Sequence, residues 1–127
     1  MVTQQIEAVI AEHPELELVL LFGSFATGKA RPHSDVDLAV QADHVLSLED
    51  KMGLIADLAD ATGRAVDLID LRTAGEPLLG QILTHGKRIR SNPTAYAELM
   101  CRHIYANEDF MPYVRRMLAE RRKAWIG

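Results

Sequence analysis

The sequence predicts an α/β (α+β) fold in which a small mixed β-sheet is flanked by helices. Short apolar runs of strand length alternate along the chain with segments of helical periodicity. Gly, Pro and helix-capping residues separate these runs. With 127 residues, 48% hydrophobic and 25% charged, the chain is long enough for one core and too short for two. We therefore expect a single domain over residues 1–127.

The first half of the chain contains two predicted strands joined by a short turn. Residues 3–13 have helical periodicity and end at a proline, because the residue before proline avoids helical geometry. The continuous apolar run LELVLLF, at 16–22, predicts a strand that is buried on both faces. SFATG predicts a helical turn that ends at Gly28, and DVDLAV, at 35–40, predicts the second strand. The connecting segment 23–34 is compatible with either parallel or antiparallel pairing of the two strands.

The clearest helix begins after Ser47 and ends before Gly63, where a capping box and a glycine C-cap are predicted. Its predicted apolar stripe consists of Leu48, Met52, Ile55, Leu58 and Ala59. RAVDLIDL, at 64–71, predicts a third strand.

The rest of the chain is predicted to be mostly helical. Residues 76–86 predict a helix with a proline near its start and a glycine past its end. KRIR, at 87–90, predicts a short edge strand whose charges protect the edge. A C-terminal helical region follows over 92–127, with a break near Pro112. The predicted core of the fold is thus about residues 16–90.

Composition excludes several classes of protein. No apolar run is long enough to span a bilayer, and the N-terminus lacks the positive region of a secretory signal. Cys101 is the single cysteine, so we expect no internal disulfide and a cytoplasmic location. The net charge is −4, and it is unevenly distributed: residues 1–107 carry 15 acidic against 9 basic residues, whereas residues 108–127 carry 3 acidic against 5 basic residues. This acidic body argues against direct binding of nucleic acid.

Asp35 and Asp37 are the first candidate functional residues. They are two positions apart in a predicted strand, so both carboxylates project from one face, while Val36 and Leu38 point into the core. Like charges this close repel, and a divalent cation relieves the repulsion; Mg²⁺ prefers such carboxylates together with substrate phosphates. An isolated D-x-D is, however, more often the exposed face of an edge strand.

Gly23 and Ser24 stand where the buried strand meets the short helix. A glycine there lets the backbone approach a phosphate, and the Ser24 hydroxyl and the helix-start amides can bind phosphate oxygens. Taken alone, Gly-Ser is equally natural as a turn and N-cap. Lys29 and Arg31, in the following loop, could neutralise a triphosphate, although basic loop residues are usually only solvated.

Asp67 lies in the middle of the apolar third strand. A carboxylate in such a strand needs a partner, and a metal site shared with Asp35 and Asp37 would supply one. If the two strands are neighbours, Asp67 could ligate the metal or accept a proton from an attacking hydroxyl. The alternative is that Asp67 faces solvent, as we expect Asp70 to do.

The segment GSFATGKARPHSDVDLAV resembles the G-S-x10-D-x-D signature of the polymerase β-type nucleotidyltransferase superfamily. In length and element order the chain is similar to the minimal nucleotidyltransferases called MNT proteins, the antitoxins of HEPN–MNT toxin–antitoxin pairs. The resemblance implies the polymerase β-like fold and an adenylyltransferase that uses ATP and Mg²⁺. Such antitoxins attach AMP to a tyrosine of a HEPN toxin, which is a ribonuclease.

Carried over by position, the resemblance implies that Gly23 and Ser24 bind the nucleotide phosphates and that Asp35 and Asp37 hold the metals. Asp67 matches the third carboxylate less securely, because no fixed spacing ties it to the signature. Two rival functions stay open: an antitoxin that acts by occlusion without catalysis, and a nucleotidyltransferase of small molecules, such as aminoglycosides. The basic C-terminal segment, with Met117, Leu118 and Trp125 among its five bases, is either a partner surface or a helix packed on its own domain.

Overall fold

The computed structural model describes residues 1–106 together with Arg116 and Ala119. The helices of this part are α1 (Val2–Ile10), α2 (Ser24–Thr27), α3 (Leu48–Thr62), α4 (Leu78–His85) and α5 (Pro93–Ala106). The strands are β1 (Leu16–Phe22), β2 (Val36–Ala42), β3 (Val66–Asp70) and β4 (Lys87–Ser91). The predicted break near Pro112 and the apolar residues of the basic tail lie outside the described residues. Among the helices that are described, none is long and apolar enough to cross a bilayer.

The four strands form one mixed sheet in the order β3–β2–β1–β4. β1 pairs antiparallel with both β2 and β4, whereas β2 pairs parallel with β3. The predicted mixed sheet is therefore confirmed. The pairing of the first two strands, which the sequence left open, is antiparallel, as a short connection allows.

β1 is buried on both faces of the sheet, which explains its unbroken apolar sequence. Val19 and Leu21 pack in a core formed with α1 and α3. Leu18 and Leu20 pack in a second core formed with α4 and α5. The sheet is thus covered by helices on both faces.

The start and end of α3 match the prediction, and its buried face matches it in part. The amide of Asp50 donates to the Ser47 hydroxyl over 3.0 Å, and the cap residue Gly63 is left-handed. Leu48 and Met52 were assigned to the apolar stripe, but they are 75% and 61% exposed. Leu58 is buried as predicted, and Ile55 packs partly buried against the core, whereas the buried Leu54 was not in the predicted stripe. Apolar residues spaced by three and four fit two neighbouring helix faces, and packing against α1 and the sheet selects one of them.

Candidate nucleotide site

The candidate site lies along the edge of the sheet that is formed by strand ends and not by an outer strand: β1 ends there, and β2 and β3 begin there. β1 is antiparallel to β2, and β2 is parallel to β3, so these three strand ends meet at one edge. α2 begins directly after Gly23, which follows the end of β1. The topology therefore brings the Gly23–Ser24 turn beside the aspartates that the sequence singled out.

The three predicted carboxylates are on neighbouring strands. Asp37 is in register with Asp67 across the parallel pair and with Phe22 across the antiparallel pair. Asp35 directly precedes β2. Asp37 is half-buried, and the other two aspartates are exposed. Burial raises the pKa of Asp37 above its ordinary value, and the negative charges of Asp67 and then Asp35 raise it further. The edge is therefore a concentration of negative charge that a cation would stabilise.

Gly23 contacts the central carboxylate of this group through its backbone. Its φ of 70° and ψ of −148° lie close to a region that is essentially restricted to glycine. A Cβ at this position would overlap Oδ2 of Asp37 and would lie 3.0 Å from its Cγ. No other residue therefore fits between the end of β1 and Asp37 without moving the carboxylate.

The turn after Gly23 leaves amide donors at the start of α2. The amides of Ala26 and Thr27 donate to the Gly23 carbonyl over 3.1 and 3.2 Å. The amides of Ser24 and Phe25 have no carbonyl four residues earlier within the same turn. Such amides, with the Ser24 hydroxyl beside them, are a typical ligand set for phosphate oxygens.

A cleft of about 490 Å³ opens beside this turn. Its lining consists of Phe22, Gly23, Ser24, Thr27, Lys29, Gln81 and His85. Lys29 thus lies where the sequence predicted, whereas Arg31 does not line the cleft. Gln81 and His85, from α4, were missed by the sequence analysis. Their spacing of four residues put them on one helix face, but the sequence did not indicate that this face meets the site.

The donor set fits a cation that binds together with a polyphosphate. Within residues 1–106, no group of three or more His, Cys, Asp or Glu side chains is arranged to hold a metal ion by itself. The three aspartates share one edge without forming a closed cage. Mg²⁺ takes one or two protein carboxylates plus water and substrate phosphates, so an open set of carboxylates beside the Gly23–Ser24 turn suits it.

Asp70 was expected to face solvent, and this expectation was wrong. Its side chain is only 3% exposed, and its carboxylate accepts hydrogen bonds from the amides of Leu46, over 3.0 Å, and Arg72, over 2.9 Å. A buried carboxylate is tolerated when donors satisfy it. Asp70 is thus a structural residue that fixes the loop before α3, and Asp67 is the exposed aspartate of β3.

A second cavity, of about 410 Å³, lies at the opposite end of β1 and is lined by histidines and carboxylates. None of the predicted site residues is among its lining. Both histidines of its lining pair with carboxylates of the lining: His13 contacts Glu15 over 3.1 Å and Asp57 over 3.5 Å, and His44 lies 3.6 Å from Asp50. The polar groups of this cavity are therefore partners of each other.

Comparison with known proteins agrees with the geometry. The family model described as "Polymerase beta, Nucleotidyltransferase" matches residues 4–95. The protein adenylyltransferase MntA of Shewanella oneidensis is 41% identical over 76 residues, which are 60% of this chain and 55% of MntA. The matched sequence thus spans little more than half the length of that curated relative.

Solved structures match over nearly the whole chain. A chain from a toxin–antitoxin crystal structure with AMP-PNP has a TM-score of 0.69 and 28% identity, over 96% of this chain and 94% of that one. A chain from the complex of a tri-AMPylated Shewanella oneidensis HEPN toxin with its MNT antitoxin has a TM-score of 0.61 and 28% identity, with the same coverage. With the family model covering most of its length, the chain belongs to the polymerase β-type nucleotidyltransferase family.

Proposed function

We propose that this chain is a Mg²⁺-dependent protein adenylyltransferase that transfers AMP from ATP to a tyrosine of a HEPN-domain toxin and thereby acts as its antitoxin. The observation that supports this best is the register of Asp37 with Asp67, directly against the Gly23 turn. The relative named protein adenylyltransferase and the complex with a tri-AMPylated toxin support the same reaction and the same class of partner.

Asp35, Asp37 and Asp67 are the proposed metal ligands. Bound Mg²⁺ would neutralise the charge that develops on the attacking and leaving oxygens. Burial, and after it the charges of Asp67 and Asp35, raise the pKa of Asp37, so a bound cation would stabilise the ionised carboxylates.

Gly23, Ser24 and Lys29 are the proposed phosphate ligands. The turn offers backbone amides and a hydroxyl, and Lys29 adds a positive charge on the same cleft. The lining of the cleft also includes Phe22, which offers an apolar surface, and Gln81, which offers a side-chain amide. This wall suits a purine base, since glutamine can form two hydrogen bonds with the N6 and N7 positions of adenine.

The proposed reaction is an in-line displacement at the α-phosphorus. The tyrosine oxygen forms a bond to the α-phosphorus, the bond between the α-phosphorus and the bridging oxygen to the β-phosphate breaks, and pyrophosphate leaves with that electron pair. The hydroxyl proton passes to a carboxylate, for which Asp67 is the candidate because it is exposed at the edge of the site. An exposed base suits an acceptor that arrives on the surface of another protein.

The proposal is tested by the ribonuclease activity of the partner toxin. The toxin is incubated with this chain, Mg²⁺ and ATP, then separated from the chain under denaturing conditions, refolded and assayed on RNA. Lasting loss of activity that requires ATP, and that is absent with an Asp35→Asn/Asp37→Asn double variant, supports catalysis. Inhibition that disappears when the chain is removed would instead establish occlusion.

A further inference from the structure

Arg64 connects three elements of the candidate site without lining its cleft. It lies between the end of α3 and the start of β3, three residues before Asp67. Its Nη1 donates to the backbone carbonyls of Arg31, Pro32 and Ser34 over 3.3, 3.0 and 3.1 Å. These carbonyls belong to the loop that directly precedes Asp35 and that also contains Lys29.

The same guanidinium contacts α2, the helix that follows Gly23. Cζ of Arg64 is 4.9 Å from the centre of the Phe25 ring, which is a distance typical of a cation–π interaction. Phe25 is next to Ser24 in α2, and its ring also packs against the core formed with α1 and α3. The Arg64 side chain thus contacts both α2 and the loop before β2, and Arg64 itself lies two residues before the start of β3.

The loop that Arg64 holds is itself a closed turn. The amide of Arg31 donates to the Ser34 hydroxyl over 2.7 Å, and the amide of Ser34 donates back to the Arg31 carbonyl over 3.0 Å. Directly after Asp35, the amide of Val36 donates to the carbonyl of Ala65, the residue after Arg64, over 2.9 Å. The turn is therefore closed by its own hydrogen bonds, and its attachment to Arg64 and to Ala65 holds the backbone on both sides of Asp35.

We infer that Arg64 is a positioning residue for nucleotide binding and transfer: it fixes the loop 28–34, and through it Asp35 and Lys29, relative to Ser24 and Asp67. This inference rests on the proposed function. Lysine should replace this arginine only in part, because an ammonium can donate to the carbonyls but presents no planar surface to the Phe25 ring.

A matched control for Arg64 exists at the far end of the molecule. Arg90, on β4, likewise donates to three backbone carbonyls, those of Ile10, His13 and Leu16, over 2.9, 2.7 and 3.1 Å. These carbonyls lie between the end of α1 and the start of β1, remote from the candidate cleft. Arg90→Ala therefore removes a similar set of hydrogen bonds without touching the loop 28–34.

The test compares Arg64→Ala, Arg64→Lys and Arg90→Ala with the wild type. Three quantities are measured: amide hydrogen exchange of the loop 28–34, the Kd for ATP with Mg²⁺, and kcat/KM for transfer to the partner toxin. All rates are corrected for the folded fraction. We expect Arg64→Ala to raise exchange in the loop and to lower kcat/KM by about a hundredfold, since a displacement of about 1 Å at a reacting group has an effect of that size. Arg64→Lys should fall between, and Arg90→Ala should match the wild type in all three quantities.

The outcomes separate this inference from the proposed function. Equal losses of transfer in Arg64→Ala and Arg90→Ala would overturn the positioning role and assign both arginines to general stability. Weaker ATP binding with unchanged exchange in the loop would also overturn it, because Arg64 would then be a direct phosphate ligand. If the wild type binds ATP but transfers nothing, the proposed function fails, while a loosened loop and a raised Kd in Arg64→Ala still support positioning. A wild type that does not bind ATP would refute both.

Discussion

Replacing Gly23 by alanine should separate the chemistry of the site from the stability of the fold. A non-glycine residue in this region of backbone geometry costs about 1–3 kcal/mol. The new Cβ would lie 3.0 Å from Cγ and 3.3 Å from Cβ of Asp37, where carbon atoms in contact prefer about 3.5–4.0 Å. The Asp37 side chain must therefore move by roughly 0.5–1 Å.

These magnitudes give two expected effects of Gly23→Ala. The free energy of unfolding should fall by about 2 kcal/mol, because the backbone term is of that size. AMP transfer should fall by about a hundredfold in kcat/KM, since a misplacement of about 1 Å at a reacting group costs that much. Urea denaturation and initial rates of AMP incorporation measure the two effects.

Gly28→Ala is the control for this variant. Gly28 also has a positive φ, of 73°, but a Cβ there would meet no atom within 4 Å. Its substitution should lower stability by about 1 kcal/mol, the cost of left-handed geometry. It should lower the transfer rate of the folded protein far less than Gly23→Ala does, because no Cβ contact displaces Asp37. If both variants lose transfer to the same extent, or if Gly23→Ala keeps it, the contact between Gly23 and Asp37 does not matter for the reaction.

Three further predictions follow from the same edge of the sheet and from the opposite cavity. First, Asp67→Asn should abolish most transfer yet raise the melting temperature of the metal-free protein at neutral pH by about 4 °C. The variant removes the repulsion between Asp67 and Asp37, of about 1 kcal/mol, and a gain of that size raises the melting temperature of a domain of this length by about 4 °C. This gain in melting temperature should vanish at acidic pH. Because the pKa of Asp37 is raised in the folded state, ionisation of Asp37 destabilises the fold only as the pH rises through that pKa. An equal gain at pH 3 and pH 7 would contradict the prediction. Second, Gln81→Ala should raise the KM for ATP relative to GTP by about tenfold and leave kcat unchanged, because the variant loses the two hydrogen bonds from glutamine to adenine. Steady-state kinetics with both nucleotides measures this change. Third, the hydrogen bond that the His44 ring donates to Asp43 raises the pKa of His44 above 6.5, so an NMR titration should show His44 titrating above that value and moving down in Asp43→Asn. The stability that this pair adds is present at low pH and lost as the pH rises through the raised pKa.

Local patterns predicted much of the fold. The bounds of β1, Leu16–Phe22, follow from an apolar run that is buried on both faces. The cap of α3 follows from Ser47 and Asp50, which are close in sequence. The spacing of Asp35, Asp37 and the Gly23 turn likewise indicated the site before its geometry was known.

Contacts between distant parts of the chain could not be predicted. Asp70 was misassigned because its burial depends on the amide of Leu46, which lies 24 residues away. The role of Arg64 depends on carbonyls that lie 30 to 33 residues away. Gln81 was missed because only the packing of α4 on the sheet brings it to the cleft. Sequence periodicity describes neither hydrogen bonds nor helix positions across such separations.

The most direct test of the account is the intact mass of the partner toxin after incubation with this chain, Mg²⁺ and ATP. The account predicts a gain of one or more AMP masses on a toxin tyrosine, lost on chelation of Mg²⁺ and in Asp37→Asn, with binding of the toxin retained by that variant. A stable complex in which the toxin keeps its unmodified mass would contradict the proposed transfer and would leave the three aspartates without the role proposed for them.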